Sequence, residues 1–287
     1  MAATVLLTRP DGKSGSGEVF LQPASSEGRD PFTKSTAKNT GESAPESATP
    51  SAPSGGTEGT STFRGSAPGL YGGSRNVTSC DVEKQIDYLR SDRAKAEAFA
   101  DVEDIDAGAV PSYLRSLTPV ELRTDARVTN HGFKGGKATG YQSVLQTGTA
   151  VLVDRRGVPR VRCACGNPLT SPVAVKEAPK TVGKPWPSYR SSDVVVVREA
   201  TTVVNIFILV DPDTGQWFER RQGDTGGTDT PTTRPSGTPS GSPSSPSPGS
   251  SSPSAETSAP SAPSDTPTSE QPSPPPEIPP QPEPSGS

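Results

Sequence analysis

Along this chain the apolar residues recur first at helical spacing and later at the two-residue spacing of strands. Val82, Ile86 and Leu89 share one helix face, with Asp81 and Glu83 placed to suit the positive end of its dipole. Thr78 or Ser79 is the expected cap, because a hydroxyl there can accept from a free N–H of the first turn. Residues 93–102 make a second, Ala-rich helical run, with Phe99 as its largest core candidate. Pro111 opens a short third helix, where its missing N–H costs no hydrogen bond. Thr118, with Glu121 three residues on, has the form of another capped helix start.

The spacing then changes to that of strands. Residues 126–129, 141–146, 149–154 and 158–165 are short β-branched runs separated by glycine and polar turns. Residues 149–169, TAVLVDRRGVPRVRCACGNPL, predict a hairpin turning at 154–157. Alternation on its second strand puts Val161, Cys163 and Cys165 on one face and Arg160, Arg162 and Ala164 on the other. Residues 132–137 read as a hairpin tip and 70–73 as a turn. The near-continuous apolar runs 193–198 and 201–210 predict central strands, the second closing through a turn at 211–215 onto Trp217 and Phe218. The expected fold class is α+β: N-terminal helices followed by a mostly antiparallel sheet or a small SH3-like barrel.

Composition limits where that fold extends. All fourteen aromatic residues lie between Phe20 and Phe218, and from Gln222 onward Ile278 is the sole large aliphatic residue. Serine, threonine, proline and glycine dominate residues 222–287, which are expected to be a disordered tail because they lack the apolar surface to offset chain entropy. Residues 33–62 have linker composition. The expected organisation is a membrane-proximal remnant and linker over 1–62, a folded domain over 63–221 and the tail over 222–287. The tail holds seven acids against one arginine, so the rest of this chain of net charge −4 is close to neutral, and a nucleic-acid partner is disfavoured.

Across residues 63–221 the segments GLYGG (69–73), CDVEKQIDYL (80–89), VPSYLRSLTPVELR (110–123), RVTNHGF (127–133) and RCACGNPL (162–169) carry a resemblance. The chain resembles the actinobacterial family called domain of unknown function 6777, and WPSYR (186–190) and TTVVNIFILVDP (201–212) continue it. That family has no established activity, so the resemblance implies location and boundaries and not chemistry. EVFLQPAS and DPFT are similar to the stretch that joins the domain to an N-terminal membrane helix in relatives. This implies that residues 2–7 are the end of an anchor whose beginning is missing from this reading frame, with the domain on the extracytoplasmic side.

The chemistry then rests on three cysteines and one histidine. A disulfide from Cys80 to Cys165 or Cys163, with Cys165 preferred as nearer the strand end, would tie the helices to the sheet. A structural zinc held by Cys80, His131, Cys163 and Cys165 is an alternative, although the spacing departs from paired zinc cysteines. A nucleophilic cysteine with His131 as base and Asp125 or Asp154 as orienter is a third, without a supporting motif. Glu103, Asp104 and Asp106 read as solvated surface. No cofactor is expected apart from the zinc alternative.

The leading expectation is a non-enzymatic module of the cell envelope that binds an envelope protein or wall component through loops bearing His131, Phe133, Trp186 and Tyr189. The alternatives are an exported thiol-dependent or hydrolytic enzyme and a cytoplasmic scaffold with a disordered tail.

Overall fold

A computed structural model describes residues 17–38, 61–174 and 179–235. The expected anchor remnant at 2–7 and most of the expected tail lie outside these residues. Three strands come first: β1 (Glu18–Gln22), β2 (Ser61–Arg64) and β3 (Tyr71–Gly72). The helices follow as α1 (Val82–Arg90), α2 (Arg93–Glu103) and α3 (Val110–Ser116). Eleven more strands complete the described chain: β4 (Thr118–Leu122), β5 (Ala126–Lys134), β6 (Lys137–Leu145), β7 (Ala150–Val153), β8 (Pro159–Arg162), β9 (Asn167–Thr170), β10 (Lys180–Val182), β11 (Val195–Arg198), β12 (Ile206–Val210), β13 (Trp217–Arg221) and β14 (Thr230–Thr232).

In place of a small SH3-like barrel, these strands form one mixed sheet of fourteen. Its main path runs β10-β1-β6-β5-β9-β8-β7-β4-β3-β12-β13-β14, with β11 pairing β2 and β5 off that path. Strand β1 is parallel to both its neighbours, β11 is parallel to β2 and β5, and β12 is parallel to β3. The order is therefore not helices followed by sheet, since strands flank the helices on both sides in sequence.

Strand β7, AVLV, shows how the sheet divides the interior. Its Val151 and Val153 enter one core with Phe63, Tyr71, Phe207 and Phe218. Ala150 and Leu152 point the other way, into a core with Ile86, Leu89, Phe99 and Leu114 from the three helices. Every side chain of this strand is buried, as period-two alternation demands of a strand covered on both faces.

The hairpin turn at 154–157 forms where the pattern placed it. Asp154 Oδ1 accepts from the backbone N–H of Arg156 and Val158 at 2.8 and 2.9 Å, and Gly157 takes φ +71°. A Cβ on Gly157 would lie 2.2 Å from the carbonyl oxygen of Gly65, so this turn closes only as glycine against glycine. The β5–β6 hairpin also turns as expected, on Gly135-Gly136 with both φ angles positive.

Four local expectations are corrected. Thr118 to Leu122 is a buried strand, because its apolar positions pair with β7 in the sheet and outweigh the cap-like Thr-Glu spacing. Asp81, and not Thr78 or Ser79, caps α1 by accepting from Lys84 N–H at 3.1 Å. Tyr71 and Gly72 form a strand and not a turn, held between β4 and β12. The second strand of the central hairpin ends at Arg162, and residues 163–166 turn the chain back into β9.

The folded region passes the expected limits of 63–221 at both ends. Strand β1 inserts between β6 and β10, and Phe32 is fully buried in the helix-side core. At the other end β14 pairs with β13, and Asp229 forms a fully buried ion pair with Arg220.

Candidate functional site

The three cysteines meet at or beside the turn that follows β8. Cys80, just ahead of the α1 cap, and Cys163, just past β8, form a disulfide with Cα atoms 5.9 Å apart. The preference for Cys165 as partner is thus corrected. The turn at 163–166 sets the Cys165 sulfur against Arg162, whereas Cys163 meets Cys80 in the helix-side core with Val161. The bond joins the helical layer to the sheet across 83 residues of sequence.

Cys165 remains a free, fully buried thiol. Its Sγ lies 3.8 Å from Nη1 of Arg162, and burial pushes its pKa up while that guanidinium pulls it down. A thiol held neutral and away from water is a poor nucleophile. The zinc alternative loses two of its four ligands to the disulfide, and among the described residues no group of three or more His, Cys, Asp or Glu side chains converges.

His131 lies inside β5 opposite Gly140, not in a turn. Its Nδ1 is 3.3 Å from the Pro168 carbonyl oxygen, and burial lowers its pKa. Neither proposed orienter reaches it. Asp125 accepts from Thr147 N and Oγ1 and from Trp186 Nε1, at 2.8, 3.0 and 3.0 Å. Asp154 is engaged by its own turn and by Arg160 Nε at 2.8 Å. A Cys-His-Asp constellation is therefore not assembled in this arrangement.

The expected binding loops separate into two groups. Trp186 and Tyr189 stack edge to face at 5.2 Å and cover a small apolar cluster of Val19, Leu21, Val144 and Val194. Phe133 packs instead against Phe32, at 5.3 Å, with Lys95 Nζ 5.6 Å above its ring. Trp186 is itself buried, so it serves as a lid on Asp125 more than as an open contact surface.

Sequence reasoning missed a carboxylate. Glu103 is not solvated surface, since Tyr113 Oη donates to its Oε2 at 2.5 Å and its Oε1 is shielded from water. Burial raises its pKa to about 7, against the hydrogen bond from Tyr113 and the charge of Arg160. The signal was its place four residues after Phe99, on the same helix face.

Sequence reasoning also missed two wholly buried arginines. The guanidinium of Arg220 meets both oxygens of Asp229, through Nε at 2.9 Å and Nη2 at 2.6 Å, and donates further to the carbonyls of Pro119 and Val77. Arg162 has no carboxylate within ion-pair reach among the described residues. Its Nη atoms donate to the carbonyls of Pro23 and Ser26 and to Gln22 Oε1, all from the end of β1 and the loop after it.

A family model, that of a domain of unknown function (DUF6777), matches residues 61–223. The chain belongs to that family. No curated protein and no solved structure matches it. The DUF6777 match contains both buried arginines, yet it ends before Asp229 and begins after Gln22, Pro23 and Ser26. Both arginines of the DUF6777 region thus draw hydrogen-bond partners from sequence beyond it.

Proposed function

We propose that this chain is a non-enzymatic, disulfide-braced module on the extracytoplasmic side of a cell envelope, with a binding or bracing role. The observation that supports the reading is the Cys80–Cys163 disulfide, which persists in oxidising compartments and is rare in reducing ones. Its position suits bracing, because it fastens the helices to the sheet. The described residues contain no helix long and apolar enough to cross a membrane, so attachment would reside in other sequence.

The test is thiol counting in cells that make the protein. Acid quenching followed by alkylation under denaturing conditions is expected to label one cysteine per chain without reductant and three with it. Three labelled cysteines without reductant would place the protein in a reducing compartment and remove the basis of this reading. Protease digestion of intact cells, stripped of any outer layer, is expected to cleave the chain from outside.

A further inference from the structure

Residues 17–38 bind the rest of the protein at several places, and the largest core is not one of them. That core, which holds Phe63, Tyr71, Phe207 and Phe218, takes no residue from the segment. The segment instead sends Phe32 into the helix-side core and Val19 and Leu21 into the small cluster under Trp186. Its backbone pairs as β1 with β6 and β10. Farther on, Thr33 N–H and Thr36 N–H donate to the carbonyls of Cys165 and Cys163, each at 2.8 Å, and Ala37 bridges Cys80. It therefore lies across both ends of the disulfide, whose cysteines are at most 1% exposed.

We propose that residues 17–38 are a tethered peptide ligand, bound in a slot of the 61–235 body and exchangeable with the same segment of a second copy. The slot recognises an extended chain by strand addition along β6. It reads Phe32 in an apolar socket. It also presents Arg162, a buried cation whose oxygen acceptors among the described residues all come from the occupant, so the slot selects a loop that turns carbonyl and amide oxygens inward. Gly28 lets that loop close, at φ +73°, where a Cβ would stand 2.3 Å from Gln22 Oε1. Release of the segment uncovers the disulfide and Arg162 together, while the main core stays complete.

The experiment uses the full chain with a protease site inserted within residues 39–60, cut under native conditions. Fluorescent synthetic peptide 17–38 is added in excess and followed by polarisation and size exclusion. The expected result is uptake of the labelled peptide in exchange for the cut segment. A Phe32→Ala peptide is expected to bind more than about tenfold more weakly, the scale set by burying one large side chain. After cutting and dilution, dithiothreitol should reduce the disulfide to two thiols, itself becoming the cyclic disulfide, more than about tenfold faster than in the uncut chain; that fold-change follows from added opening of the segment. A cut segment that never exchanges, equal binding of both peptides, or a body that unfolds once the segment leaves would each overturn the proposal.

Discussion

Arg162 and Arg220 are equally buried and are satisfied in opposite ways. Arg220 faces a carboxylate in a two-point pair, and its charge is cancelled where it sits. Arg162 faces neutral carbonyls and a thiol, and its charge is solvated without being cancelled. The two sites fasten opposite margins of the domain: Asp229 brings in the chain after β13, and the loop after β1 brings in the N-terminal segment. A cancelled charge holds its partner tightly, because separation leaves an unpaired ion in the interior. A charge met by carbonyls can be satisfied again by water when the loop leaves. The C-terminal margin is therefore expected to be permanent and the N-terminal one reversible.

The largest expected effect tests what holds the body when its N-terminal margin opens. Replacing Cys80 and Cys163 together by serine should lower the unfolding free energy by about 4–5 kcal/mol, the chain-entropy scale for a loop this long, as read by urea denaturation. Cys165→Ser should cost far less, since that thiol cross-links nothing.

Next, Asp229→Ala should cost about 3–5 kcal/mol by stranding the Arg220 charge, whereas Arg220→Met with Asp229→Ala should cost clearly less than the single change. Equal costs would mean that the ion pair is not what fixes this margin.

The third effect is a pH dependence from the helix-side core that both Phe32 and the disulfide share. Glu103 has its pKa raised from an ordinary 4.5 to about 7, so the folded state holds the proton more tightly than the unfolded chain. Its favourable contribution is full below about 4.5 and is lost as pH rises to about 7, a change of up to about 3 kcal/mol. Glu103→Gln should flatten the stability profile in that window, measured by denaturation at pH 4.5 and pH 7.5. The smallest effect belongs to Arg162→Met, about 1–3 kcal/mol for carbonyls left without a donor. A cost matching that of Asp229→Ala would erase the contrast between the two arginines.

Much of the fold was legible in the residues. Val82, Ile86 and Leu89 share a helix face as their spacing requires, and Phe99 occupies the core of the second helix. The turns at 154–157, 135–136 and 211–215 follow from glycine and aspartate chemistry, which acts over a few residues. Thr118 to Leu122 was misread because local cap spacing says nothing about a partner strand thirty residues away. At the candidate site, a Cys80 link to the 163/165 pair was legible, but the choice between the two depended on where β8 ended.

Sequence by itself determined the local elements and the presence of a bracing cysteine set, because helix periodicity, strand alternation and turn residues act between near neighbours. Tertiary structure alone decided that Cys163 is the partner, that the half-buried Glu103 meets Tyr113, and that two charged arginines lie inside. Those outcomes depend on side chains 83 to 140 residues apart for the disulfide and Arg162, and on which face each element turns inward. The sequence presented Arg162 as a polar strand position; only the arrival of the loop after β1 made it the point where a margin of the fold is held.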